Sequence, residues 1–242
     1  MSKSKQAVIL AGGKGTRLKP YTTVLPKPLM PLGDRSILEL IINQLAQFGF
    51  TDIILAVNHQ ASIIQALIGD GSKYGVQIRY VLEDKVLGTM GPLSYMKDFL
   101  QDQFIVLNGD ILTDLNFGHF LKAHQKSKKI FSISAFERTE KIDYGVLLEN
   151  KNTLTGFKEK PLEKYLVSMG IYAVSKEILK HIPKGQAFGF DQLMLSLLKK
   201  KNPVNIIKHK GEWLDIGRPD DYIKAIDLFE NKKSDYTHQS KK

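Results

Sequence analysis

Within eighteen residues near its N-terminus the chain gathers three kinds of group that bind phosphate. A short apolar run, Ala7–Leu10, leads into Ala11-Gly12-Gly13-Lys14-Gly15-Thr16-Arg17-Leu18, and Pro26-Lys27-Pro28 follows. Glycines let backbone approach a ligand closely, and successive N–H groups in such a turn form a concave anion site. Arg17 and Lys27 bring two cations to the same place. The combination suits a polyanion such as a nucleoside triphosphate. Two familiar phosphate loops do not fit. A P-loop needs Gly-Lys-Ser/Thr, but Lys14 is followed by Gly15, and a dinucleotide fingerprint needs a third glycine where Leu18 stands. On its glycines alone, the segment could equally be a plain link from a strand to a helix.

Carboxylates supply the next chemistry. Phe104–Leu107 reads as a buried strand that ends in Asn108-Gly109-Asp110. Ligands of open α/β sheets bind beyond the carboxyl ends of strands. Gly109 there leaves room for a substrate, and Asp110 is a natural Mg²⁺ ligand. An Asp that merely turns the chain is the alternative. Trp213-Leu214-Asp215-Ile216-Gly217 places a second Asp in a largely apolar stretch, which is costly unless the carboxylate is paired or metal-bound. An N-cap for a helix starting around Pro219 is the alternative there. Mg²⁺ takes one or two carboxylates with phosphate oxygens and water, so Asp110 and Asp215 suit it as a pair. Glu83 can accept from both N1–H and the exocyclic amine of guanine, whereas uracil and thymine offer one donor. Asn58 follows the strand candidate Ile53–Val57 and is a further candidate for contact with the nucleotide.

These residues need a scaffold that delivers them to one edge. Strand candidates Ala7–Leu10, Ile53–Val57, Gln77–Leu82 and Phe104–Leu107 alternate with helical patterns. The clearest helix is Ser36–Phe48, with Ile37, Leu38, Ile41, Ile42, Leu45 and Phe48 on one face, a Ser36/Glu39 capping box and Gly49 as its stop. Such alternation predicts a parallel sheet covered on both faces. Closely spaced strand candidates follow at Ile130–Glu137, Gly145–Glu149, Thr153–Lys158 and Ser168–Val174, predicting an antiparallel or mixed region. Helices are expected at Lys176–His181, Phe190–Lys200 and Pro219–Phe229, the last with Pro219 in its first turn and Asp220-Asp221 at its positive end.

The string Gly13–Leu18 through Lys27-Pro28-Leu29-Met30-Pro31 resembles the signature of the sugar-1-phosphate nucleotidylyltransferases, most nearly the short mannose-, heptose- and hexosamine-1-phosphate guanylyltransferases. The resemblance covers roughly residues 6–230. It implies a single-domain, Rossmann-like α/β fold, with a mixed, mainly parallel sheet flanked by helices. It also implies transfer of a nucleoside monophosphate from a nucleoside triphosphate, GTP favoured, to a sugar 1-phosphate, with release of pyrophosphate and dependence on Mg²⁺. The nucleotide would lie on Leu10, Ala11, Gly12, Gly13, Gly15, Thr16, Asn58, Glu83, Gly88 and Thr89. The last two belong to Leu87-Gly88-Thr89-Met90-Gly91, where Met90 replaces the family's usual small residue. Glu159-Lys160-Pro161 resembles an element whose Glu binds sugar hydroxyls and whose Lys binds the sugar phosphate. Gly145 and Gly170 match positions lining the sugar pocket, beside Gly109. The family's metal ligands carry over to Asp110 and Asp215, and its catalytic set to Arg17, Lys27, Asp110 and Lys160. Val167-Ser168-Met169 lacks the Asn-Ala that often precedes this last glycine, which leaves the sugar open. A cytidylyl-, uridylyl- or thymidylyltransferase is the near alternative, and a nucleotide-sugar-binding subunit without turnover the distant one.

Composition narrows the classes further. With 242 residues the chain can bury a sizeable core, and with no cysteine it has no disulfide, thiolate metal site or thiol nucleophile. Its formal charge of +10 invites a nucleic-acid reading, but residues 1–5 and 232–242 hold six lysines against Asp235 alone. The charge is thus concentrated at the ends, and neither nucleic acid nor membrane is expected as a partner, while a homo-oligomer is compatible. No stretch reads as a signal peptide or membrane span, so a cytoplasmic location is the default expectation. One domain is expected over residues 1–230, with a disordered basic tail over 231–242.

Overall fold

Apolar strands of four to eight residues leave no polar face for solvent, so the chain must cover its central sheet on both sides. A computed structural model describes residues 4–232 and Tyr236. Its first half holds β1 (Lys5–Leu10), a small ribbon of β2 (Pro31–Leu32) and β3 (Arg35–Ser36), β4 (Phe50–Val57), β5 (Gln77–Leu82), β6 (Gln103–Asn108) and β7 (Ile111–Thr113). Helices α1 (Ile37–Gln47), α2 (Ala61–Ile68) and α3 (Phe117–Ser127) connect them. The second half adds β8 (Phe131–Lys141), β9 (Val146–Asn150), β10 (Thr153–Lys158), β11 (Leu162–Ser175), α4 (Phe190–Lys199), β12 (Asn205–His209), β13 (Trp213–Asp215) and α5 (Pro219–Asn231).

Seven strands form one sheet in the order β12-β8-β11-β6-β1-β4-β5. The pairs β12–β8, β6–β1, β1–β4 and β4–β5 are parallel, while β11 runs antiparallel to both β6 and β8. The sheet is therefore mixed and mainly parallel, as the alternation implied. From β1 the chain moves outward to β4 and β5, then returns to place β6 on the other side of β1. This reversal opens a crevice at the carboxyl ends of β1 and β6, where ligands of such sheets bind.

Both faces are covered. Ala7 and Ile9 pack under α1, α3 and α5, through residues such as Ile41, Phe117 and Phe229, all nearly inaccessible. Val8, Ile54 and Val106 face the other way, toward Met90, Met96, Leu193 and Leu197. The helix read from sequence at 36–48 forms as α1. Glu39 N–H donates to Ser36 Oγ at 3.2 Å, and Ser36 N–H donates back to Glu39 Oε2 at 2.9 Å. Such a cap contributes about 1 kcal/mol.

Several elements differ from the sequence reading, among them β7 and β13, which form a small ribbon that was not expected. The segment Lys176–His181 winds as a 3₁₀ helix rather than an α-helix. Strand β11 begins at Leu162, six residues before the expected start, and pairs with the outer half of β8. Strand β12, unforeseen, closes the far edge of the sheet in parallel register with β8. The expected basic tail lies largely outside the described residues; Tyr236 is described and is buried against Phe229, with ring centroids 6.2 Å apart. Among the described residues no helix is long and apolar enough to cross a membrane.

One buried group makes stability depend on pH. His124 on α3 is fully inaccessible, lies 2.8 Å from Ser132 Oγ and 3.2 Å from Ser175 Oγ, and is held neutral by burial, its pKa falling from 6.5 to about 4. The unfolded chain takes up a proton near pH 6.5 and the folded chain does not. The stabilisation is therefore complete above pH 6.5 and is lost as pH falls toward 4, on the order of 3 kcal/mol over that window. Urea midpoints measured at pH 7.5 and 4.5 are expected to show this loss, and His124→Gln to flatten the difference. Identical slopes in the two proteins would remove His124 as the cause.

Candidate active site

The crevice at the carboxyl edge is a cleft of about 290 Å³ lined by Leu10, Ala11, Gly12, Gly13, Lys27, Pro28, Asn58, Glu83, Val86, Gly88, Thr89, Asn108 and Asp110. Its walls follow the sheet order. Glu83 stands beyond β5, Asn58 beyond β4, Leu10 through Gly13 at β1, and Asn108 and Asp110 at β6. Hydrogen bonds hold the strand ends together. Ala11 N–H donates to Ala56 O at 2.8 Å and Gly109 N–H to Leu10 O at 2.9 Å.

Packing accounts for several of the loop's glycines. A Cβ on Gly12 would lie 3.1 Å from Glu83 Oε1 and 3.2 Å from Asn58 Cβ, so glycine is what lets these side chains close in. Gly15 has φ +60°, and a Cβ there would press on Thr22 and on the stem of Lys27. Thr22 Oγ1 donates to Gly15 O at 2.7 Å, which pins the loop against that stem. Thr16 and Arg17 form the 3₁₀ turn that follows; both are exposed and neither lines the cleft.

At the other wall Asn58 Nδ2 donates to Glu83 O at 2.7 Å, and Leu87 N–H donates to Glu83 Oε2 at 3.2 Å. Burial raises the Glu83 pKa, only partly offset by the Leu87 N–H. Gly88 adopts φ +72° against Phe188 O, and Phe190 N–H donates to Thr89 Oγ1 at 2.8 Å. The loop is thus fastened to the start of α4. Met90 is fully buried in the core, which accounts for a large residue where the family carries a small one.

Lys27 is 7% exposed and forms an ion pair with Asp110 Oδ2. The other oxygen, Asp110 Oδ1, is buried and has no hydrogen-bond partner among the described residues. Asp215 comes to the same place through the β7–β13 ribbon. It pairs with Ile111, the residue after Asp110, and Ile216 N–H donates to Asp110 O at 3.0 Å. Burial, with the nearby Asp110 charge, raises the Asp215 pKa, and Lys27 and Arg17 oppose the rise. Arg17 reaches this corner too, since a Cβ on Gly217 would lie 3.7 Å from both of its terminal nitrogens and 3.2 Å from Asp215 Oδ2.

The donor set fits a divalent cation of the Mg²⁺ type. A buried carboxylate oxygen without a partner is expensive unless something supplies positive charge. No group of three or more His, Cys, Asp or Glu among the described residues could hold a metal alone. Mg²⁺ takes one or two carboxylates with substrate oxygens and water, which Asp110 in the cleft lining and Asp215 beside it, outside that lining, would supply.

The remaining sequence candidates form a separate, more open region. Gly145, Glu159 and Lys160 flank the β9–β10 hairpin and are exposed, outside the cleft lining. They do cluster, because a Cβ on Gly145 would lie 3.3 Å from Glu159 Oε2 and clash with the Phe157 ring. Gly170 has φ +72° and sits in the bulge of β11 between Ser168 and Tyr172, where Ser168 Oγ accepts from its N–H at 3.3 Å. Gly109 does not open onto the cleft as expected. It is buried, and a Cβ there would lie 3.1 Å from Leu10 O, so its smallness serves the packing of β6 on β1. Asn108, Pro28 and Val86 line the cleft without having been singled out.

A glycine loop at a topological switch point, with Lys27 and Asp110 in the cleft and Arg17 and Asp215 at its margin, is the architecture of a nucleotide-handling α/β protein. Residues 6–232 match the sequence model of the nucleotidyl transferase family, and the chain belongs to that family. It is 34% identical over 241 residues to the UTP–glucose-1-phosphate uridylyltransferase of Synechocystis, covering 91% of this chain and 62% of the relative. It is 32% identical over 233 residues to the mannose-1-phosphate guanyltransferase of Aspergillus oryzae, covering 93% and 64%. The chain thus spans somewhat less than two thirds of the length of these relatives. Among solved structures, HddC from Yersinia pseudotuberculosis superposes with a TM-score of 0.73 at 27% identity, covering 93% of this chain and 99% of that one. The same protein complexed with GMP-PN gives 0.71 at 26%, with the same coverage.

Proposed function

We propose that this chain transfers a nucleoside monophosphate from a nucleoside triphosphate to a sugar 1-phosphate, releasing pyrophosphate. The observation that carries the reading is the corner where Asp110 pairs with Lys27 through one oxygen, keeps the other unpartnered among the described residues, and stands near Asp215 and Arg17. A sugar-phosphate oxygen attacks the α-phosphorus, and pyrophosphate departs in line. The nucleophile is already anionic, so the site needs no general base, and its work is positioning and charge neutralisation. The loop amides from Gly12 to Gly15, with Arg17, hold the triphosphate, above all the departing pyrophosphate. Lys27 swings its ammonium from Asp110 toward the α-phosphate. Asp110 and Asp215 would hold Mg²⁺, which when bound supplies charge stabilisation to the reacting phosphates. Lys160 and Glu159 receive the sugar phosphate and its hydroxyls, and Gly145 keeps that surface open.

GTP is the favoured donor. Glu83 lines the cleft with Oε1 against Gly12, and a carboxylate there can accept from guanine donors, which supports this reading. A guanyltransferase among the relatives and a neighbour solved with GMP-PN support the same base. A uridylyltransferase at 34% identity keeps uridine as the second reading. Pyrophosphate release, screened with the four common nucleoside triphosphates against hexose, hexosamine and heptose 1-phosphates, tests the proposal. Turnover confined to one donor with a sugar phosphate is expected, and silence across the whole panel would contradict it. Lys160→Ala is expected to raise the KM for the sugar phosphate roughly tenfold or more while moving that for the nucleotide little. Equal KM values for sugar phosphate in variant and wild type would remove Lys160 from that role.

A further inference from the structure

We infer that Asn108 is a positioning residue that grips a ring hydroxyl of the acceptor sugar, an inference that rests on the transferase reading. Asn108 ends β6, stands opposite Leu10 of β1, and precedes Asp110 by two residues. It lines the cleft, yet no described residue hydrogen-bonds its side-chain amide. A carboxamide offers two donors and an acceptor. At this half-buried position the amide stays open to the cleft, with its donors and acceptor available to a ligand.

The neighbours of Asn108 indicate which ligand. On the β11 side lies Gly170, where a Cβ would fall 2.6 Å from Asn108 Nδ2. Only glycine, with its φ of +72° in the β11 bulge, leaves space for that amide. Along the sheet edge Glu83 at β5 is the base end, Leu10 through Gly13 at β1 the phosphate centre, and Gly170 at β11 the side away from the base. Asn108 therefore lies beyond the phosphates as seen from Glu83, on the acceptor side. A hydroxyl both donates and accepts, as a carboxamide does, and a sugar ring carries several.

Asn108→Leu preserves side-chain size and removes both functions. Steady-state kinetics on the folded variant are expected to show a rise of ten- to a hundredfold in KM for the sugar phosphate. The nucleotide KM should stay within about twofold of wild type, since the base end is untouched. Monodeoxy sugar 1-phosphates locate the contact: one analogue should be penalised in the wild type and lose that penalty in the variant. Asn108→Ser, which restores a small donor and acceptor, is expected to recover part of the loss. An unchanged sugar-phosphate KM, or a rise confined to the nucleotide as a ribose contact would give, overturns the inference. Titration calorimetry of a sugar 1-phosphate into wild type and Asn108→Leu reads the same contact without turnover. Weaker binding by the variant supports it even if the panel above shows no transfer, and equal binding overturns it.

Discussion

Asp110→Asn is expected to lower kcat by about a thousandfold or more, with the fold intact. The substitution keeps the shape of the side chain and removes its charge. The amide must then turn its NH₂ either toward the Lys27 ammonium, now held by Oδ2, or toward the corner that Oδ1 leaves unpartnered. The first choice sets a donor against the ammonium, and the second sets it where Mg²⁺ would bind. Asp215→Asn is expected to be milder, because Arg17 and Lys27 already balance part of the charge there. Kinetics in saturating Mg²⁺, with a urea midpoint for each protein, check this. Near wild-type turnover for Asp110→Asn would discard the metal assignment.

Lys27→Met is the second large effect, a fall in kcat of roughly a hundred- to a thousandfold. Methionine keeps the apolar stem that packs against the Gly15 loop but cannot neutralise a phosphate. It also strips Asp110 of its counter-ion. Lys27 and Asp110 act as a unit, so the double variant should lose much less than the product of the two single losses. Losses that multiply would show that the two groups act independently.

The sheet was legible because its central strands β1, β4 and β6 are apolar on both faces, while the edge strand β5 showed through its run Tyr80-Val81-Leu82. Helix α1 announced itself through its buried stripe and the Ser36/Glu39 cap. The outer half of β11 was not legible, because Leu162-Glu163-Lys164-Tyr165 has no buried face to impose a pattern. Strand β12 pairs on one side only, and Ile206 stays exposed, so its short apolar pair carried little signal. In the site, Asp110, Lys27 and the glycine loop were readable from charge and spacing. Their union with Asp215 depends on the β7–β13 ribbon, which joins residues about a hundred positions apart. Gly109 misled because a glycine kept small for strand packing looks the same in sequence as one kept small for a ligand. Asn108 was passed over because its approach to Gly170 depends on β11 folding beside β6.

The central claim is that two substrates meet at the β1–β6 crevice and exchange a nucleotidyl group. Phosphorus NMR of the chain incubated with GTP, a sugar 1-phosphate and Mg²⁺ tests it most directly. The predicted result is equal growth of pyrophosphate and of a sugar-linked diphosphate, only when both substrates are present, and abolished by EDTA. Pyrophosphate or phosphate released from the nucleotide alone, with the sugar 1-phosphate signal unchanged, would contradict it.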